Sequence, residues 1–222
     1  MVGRSTPIPL KEVGALSLFI VADAVKLAGA GRGCGVLPKV RFENLPLLFK
    51  QVPVGSIKDV NMVEVQIDRG RLELLRQVGS THFKSLEWLM LDAVDFRGIS
   101  VDDFNLIFSG AGSGNERQAL FNSVKVVYFN KVQVPASISP DQVLRTLRDA
   151  STLIFHSALG RTSNPIRFAT SGILSTLRER RNGECLKIQL PDHALEGSIS
   201  QLIGQIKKVG ASVYVSKLIN IE

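Results

Sequence analysis

A six-residue apolar signature, apolar-x-x-apolar-x-apolar, recurs along this chain, and most of the intervals between copies read as helix. The clear copies are Leu37-x-x-Val40-x-Phe42, Met62-x-x-Val65-x-Ile67, Leu86-x-x-Leu89-x-Leu91, Val124-x-x-Val127-x-Phe129 and Cys185-x-x-Ile188-x-Leu190. Weaker copies are Ala150-x-x-Leu153-x-Phe155 and Gly210-x-x-Val213-x-Val215. Their starts fall roughly 24 to 38 residues apart, a spacing that suits one strand and one return segment per unit, stacked side by side.

The strand candidates are 37–42, 61–68, 85–91, 123–129, 152–156, 185–190 and 212–216, all rich in Val, Ile, Leu and aromatics. Alternation gives each strand two faces. In the third, Leu89 and Leu91 point one way while Trp88 and Met90 point the other. The helical intervals carry start and stop signals. Ser100 precedes Asp102 and Asp103, and Ser139-Pro140-Asp141-Gln142 offers an N-cap, a proline at the first helical position and a capping glutamine. Residues 171–181 end in arginines before Asn182-Gly183, 195–208 run up to Gly210, and 71–78 form a shorter return.

This cadence predicts an α/β fold with a parallel sheet. A doubly wound sheet buries both strand faces and reads apolar throughout. Here the residues inside the apolar-x-apolar step are Arg41, Gln66, Met90, Tyr128, Ile154, Gln189 and Tyr214, and Glu64, Glu87, Lys125 and Lys187 also project from strands. One face therefore reads as wet. The expected architecture is an irregular solenoid of sequential parallel strands with helical returns. Residues 1–36 are expected to form an N-terminal helical cap with a glycine-rich linker, and 37–222 the repeat-like domain. Within the first part, 13–25 (VGALSLFIVADAV) fits helical spacing. The same stretch also resembles a signal-peptide core, although Asp23 interrupts it and it is too short to span a bilayer.

The pattern resembles leucine-rich repeats, with SLEWLMLDAV (85–94) as the nearest copy of the LxxLxL core. The family's asparagine, three residues beyond the last core position, is replaced by Leu45, Gly70, Val94, Val132, Ala158, His193 and Leu218. The long, uneven units look most like the repeat region of F-box-type substrate receptors of ubiquitin ligases. That resemblance implies substrate binding by the repeats, adaptor binding by an N-terminal segment, and no catalytic residues. Only 5–29, with its Pro-Leu start and apolar helix pattern, stands where an F-box would be.

The enzymatic alternative is a nucleotide- or phosphate-binding loop at 109–115 (SGAGSGN), if 106–108 is a strand end and a helix opens at 116. No lysine follows as in a Walker loop, and no ribose-binding acid follows at the Rossmann spacing. An insertion between repeats is the simpler reading. Gly29–Gly35 reads as a linker. His82, His156 and His193 each stand without a second ligand at metal spacing, so no cofactor or metal is expected.

Two cysteines, Cys34 and Cys185, make no disulfide framework, which suggests a reduced, intracellular (cytoplasmic or nuclear) chain. The formal net charge of +7 points to an acidic partner. Arginines cluster over 145–181, but few aromatics interleave with them, so an acidic protein surface is preferred to nucleic acid. No membrane span is expected. The functional expectation is a non-catalytic protein-interaction module that binds through Arg41, Gln66, Trp88, Met90, Tyr128, Gln189 and Tyr214. Aromatics with polar handles on a wet strand face are the residue types that anchor interfaces.

Overall fold

A computed structural model describes residues 15–29, 39–108, 120–121, 123–147, 150–157, 159–161, 164–179, 186–191, 193, 195–209 and 213–217. In chain order the elements are β1 (Leu16–Val21), β2 (Ala24–Gly29), β3 (Val40–Arg41), α1 (Leu45–Phe49), β4 (Ile57–Val63), β5 (Gln66–Asp68) and α2 (Arg69–His82). There follow β6 (Trp88–Asp92), β7 (Asp95–Gly98), α3 (Val101–Phe108), β8 (Val126–Asn130), α4 (Pro140–Thr146), β9 (Thr152–Phe155), β10 (Leu159–Arg161) and β11 (Asn164–Ile166). The last are α5 (Thr170–Glu179), β12 (Leu186–Leu190), α6 (Ile199–Val209) and β13 (Val213–Lys217).

A nine-stranded sheet runs β13-β12-β9-β8-β6-β4-β1-β2-β3. From β1 to β13 its strands pair in parallel and in chain order, while β2 and β3 extend the β1 edge antiparallel. The protein is thus α/β with a mostly parallel central sheet. Register stacks Val60, Leu89, Val127, Leu153 and Ile188 in one row, and Met62, Leu91, Phe129 and Phe155 in the next. All are buried. Helical residues complete the core: Leu45 and Phe49, Leu72 and Leu75, Phe104 and Ile107, Val143 and Leu144, then Ile173 and Leu202. On the opposite face every strand residue of described burial is partly or fully exposed. The described sheet is covered on one side only, as the polar residues of that face led one to expect.

The serine N-caps form as read, while the stop signals at Asn182-Gly183 and Gly210 lie outside the described residues. Ser100 Oγ accepts from the Asp103 amide at 3.0 Å, and Ser139 Oγ from the Gln142 amide at 3.2 Å. Ser198 and Gln201 bond each other reciprocally at the start of α6. The expected return at 71–78 is longer, because Asp68 caps it: its carboxylate accepts from the Arg71 amide at 2.8 Å.

Three expectations are corrected. First, the helix expected within 13–25 is the β1–β2 hairpin. Leu16, Leu18 and Ile20 on β1 and Val25 and Leu27 on β2 face the core, and Val21 pairs with Ala24 across the turn. A run apolar at nearly every position matches both periods, and here burial against β4 selects the strand. The sheet therefore crosses the boundary expected after residue 36. Second, the copy at Leu37 gives no parallel strand. Val40 and Arg41 pair antiparallel with β2, and Phe42–Asn44 turn into α1. Third, the copy at Met62 is out of frame. The segment on the sheet is Ile57-x-x-Val60-x-Met62, while Val65 and Ile67 lie beyond a turn.

That turn recurs. Ala22, Glu64, Ala93 and Lys131, directly after β1, β4, β6 and β8, all have φ between 50° and 55°. Their amides extend the ladder: Ala22 donates to the Val63 carbonyl, Glu64 to Asp92 and Ala93 to Asn130, at 2.8–2.9 Å, while Lys131 donates to Ser157 Oγ. Val65, Val94 and Val132 follow, all buried. A second backbone ladder serves these turns. The Asp95 amide donates to Val65, Gln133 to Val94 and Gly160 to Val132. It includes the small β5–β7 sheet and the Asp95–Gln133 bridge.

Candidate functional site

The uncovered face of the sheet presents two registered rows. One reads Ser17, Asp59, Trp88, Val126, Thr152, a register that continues to positions 187 and 214; the other reads Lys26, Phe19, Asn61, Met90, Tyr128, Ile154, Gln189. A shorter third row holds Val21, Val63, Asp92 and Asn130. Successive strands lie about 4.8 Å apart. Trp88, Met90, Val126, Tyr128 and Ile154 therefore form one partly exposed apolar patch across three adjacent strands, with Phe19 beyond the polar Asp59 and Asn61 of β4.

Of the seven expected contact residues, Trp88, Met90 and Tyr128 fall together at the centre of this patch. Gln189 lies in the same row beside Ile154. Tyr214 pairs with Lys187 on the last strand, a register position continuous with the Trp88 row. Arg41 shares the face but pairs with Ala24 on the far edge, three intervening strands from Trp88. Gln66 is not on this face. It lies in β5, exposed beyond the turn, where its carbonyl accepts from Arg71 Nη1 at 3.0 Å. Asn61 holds the position expected of Gln66. Phe19, Asp59, Asn61 and Asp92 were missed; reading the repeat from Ile57 rather than Met62 brings the β4 members into view.

Two carboxylates bracket the aromatic centre. Asp59 accepts from Ser17 Oγ at 2.8 Å, and Asp92 from Asn130 Nδ2 at 2.8 Å. Both partners are neutral, and among the described residues neither carboxylate meets a cation at ion-pair distance. Burial, and then the charge of Asp92, raise the Tyr128 pKa above its ordinary value. The His156 ring lies 6.2 Å from that of Tyr128. Lys58 and Glu87 pair at 3.4 Å at the strand-start end of the face.

On the helix side, arginines are matched with acids. Arg71 pairs with Asp23, Arg76 with Asp103 at 2.8 Å, and Arg97 with Asp95 at 2.6 Å. Burial alone would raise the Asp103 pKa, but hydrogen bonds from Arg76 and Ser100 hold it below its ordinary value. Such pairing leaves these cations poorly placed to hold phosphates. Arg148, Arg180 and Arg181 of the expected cluster lie outside the described residues.

The glycine-rich loop 109–115 and both cysteines also lie outside the described residues. The segment before that loop, 101–108, is helix α3, so the strand end required by a phosphate loop is absent there. His82, His156 and His193 belong to separate parts of the chain. His82 touches Phe49, and burial lowers its pKa against the opposing bond to the Pro53 carbonyl. Among the described residues no group of three or more His, Cys, Asp or Glu could hold a metal ion. Among them too, no helix is long and apolar enough to cross a membrane. No protein-family model, curated protein or solved structure matches this chain.

Proposed function

We propose that this chain is a non-catalytic protein-interaction module, an irregular leucine-rich-repeat-like solenoid that binds a partner protein on the uncovered face of its sheet. One observation carries the reading. Trp88, Met90 and Tyr128 stand in adjacent register, partly exposed, within an apolar patch that no described element covers. Tryptophan and tyrosine supply large, rigid contact area at low entropic cost, and methionine is enriched with them at interface cores. A patch of this kind on a protein surface marks an interaction site. The resemblance to F-box-type receptors gives the specific form: substrate recognition inside the cell. Its adaptor contact would not use a helix at 16–29, since those residues belong to the sheet.

The test is affinity capture from lysate with wild type and the Trp88→Ala/Tyr128→Ala double variant, after matched thermal melts. We expect at least one wild-type partner to be lost with the variant, and to bind purified wild type with a change in fluorescence of Trp88, the single tryptophan. Identical partner sets from both proteins would overturn the reading.

A further inference from the structure

We propose that the strand face recognises arginine-bearing protein segments, each guanidinium stacking on Trp88 or Tyr128 and pairing with Asp59 or Asp92. The inference rests on the interaction reading above and gives its partner a chemistry. It runs against the net charge of +7, which by itself favours acidic partners.

The local charge decides. Asp59 is the direct cross-strand neighbour of Trp88, so carboxylate and indole share one spot on the surface. Asp92 lies diagonally from Tyr128 and close enough that its charge acts on the phenol. Ser17 and Asn130 hold the two carboxylates in place through neutral donors. Each carboxylate is thus oriented without being neutralised. Of the cations nearest to them on this face, Lys58 pairs with Glu87, Lys26 lies on β2, two strands from Asp59, and Arg41 lies on the edge strand β3.

An aromatic face beside an oriented, unneutralised carboxylate suits a planar guanidinium. The ring attracts the cation through its quadrupole, and the carboxylate accepts from the guanidinium fork. An acidic segment placed there would set carboxylates against Asp59 and Asp92 without a cation between them, which disfavours it. Asp59 and Asp92 sit on neighbouring strands, four residues apart in register, or about 13 Å along the strand direction. Apolar Trp88, Met90 and Val63 lie between or beside them. The occupant is accordingly a segment with two arginines about that far apart and apolar side chains between.

The experiment selects a phage-displayed library of random dodecapeptides on the full chain. Enriched peptides are then synthesised and titrated against wild type, Trp88→Ala/Tyr128→Ala and Asp59→Asn/Asp92→Asn. All three proteins are first matched by circular dichroism and thermal melt. Support requires peptides enriched in arginine whose binding is lost with the aromatic variant. Their affinity should also fall roughly tenfold or more with the asparagine variant, which keeps shape and removes charge. Peptides that need Trp88 and Tyr128, yet lack arginine or bind the asparagine variant equally well, would overturn the arginine assignment and leave the interaction face standing. Peptides indifferent to the aromatic variant, or no enriched peptide at all, would overturn both.

Discussion

Two glycines show how far packing at one atom decides what a residue is. Gly79 lies inside α2, where helix propensity alone favours alanine by about 1 kcal/mol. An added Cβ there would overlap Leu120 Cδ1 and stand 2.8 Å from Phe83 Cδ2. Leu120 can rotate, but the Phe83 ring is buried and stacked on Phe121. Overpacking of this kind costs about 1–3 kcal/mol. Gly204, inside α6, meets nothing within 4 Å. The two alanine substitutions should therefore move stability in opposite directions. Gly204→Ala should gain about 1 kcal/mol, and Gly79→Ala should lose up to about 2 kcal/mol. Urea midpoints at constant slope would measure both. A Gly79→Ala protein as stable as wild type would mean that α2 does not sit against Leu120 and Phe83 as described.

At the scale of the element, the repeating unit is a strand closed by a left-handed residue. The φ of 55° at Glu64 costs an L-residue about 1–2 kcal/mol, and a glycine much less. Glycine loses about 0.5–1 kcal/mol more backbone entropy on folding. Glu64 is exposed, so nothing is lost from the core. Glu64→Gly should then raise stability by up to about 1 kcal/mol, and Glu64→Val should lower it, since a β-branched residue resists that region. Chemical unfolding of the pair would sink the turn assignment if valine proved the better residue. This turn also explains what the sequence hid. Strands were legible wherever a two-residue period ran between capped helices, as at Leu89–Leu91 and Val127–Phe129. The copy at Met62 misled because Val65 and Ile67 are also buried, but beyond the turn, and no residue type announces a left-handed Glu64. The one-frame slip moved the expected contact from Asn61 to Gln66 and concealed Asp59. Trp88, Met90 and Tyr128 were found because their strands were read in frame. Residues 16–29 were misread because an apolar run carries both periods until its neighbour is known.

For the whole molecule, parallel order from β1 to β13 means that each strand covers the edge of the next, so the ends of the sheet need their own protection. The N-terminal edge solves this by reversing direction. β2 turns back on β1, and β3 adds only two residues, one of them the exposed Arg41, before the chain leaves in a helix. A short, charged, antiparallel border offers little template for another chain. Without β1 and β2, β4 would present its backbone from Ile57 to Val63, and Val60 and Met62 of the core would lose their neighbours Leu18 and Ile20. A truncation starting at residue 30 should consequently self-associate or aggregate, whereas the full chain should not do so through this edge. Size-exclusion chromatography with light scattering, over a tenfold concentration range, reads the difference. A Val60→Lys change in the truncated protein would not rescue it, because Val60 faces the core, whereas Asn61→Pro should lessen association by removing an edge donor. A truncated protein that stays monomeric and melts like the full chain would show that the hairpin is dispensable to the sheet, and that the edge is guarded by something other than β1 and β2.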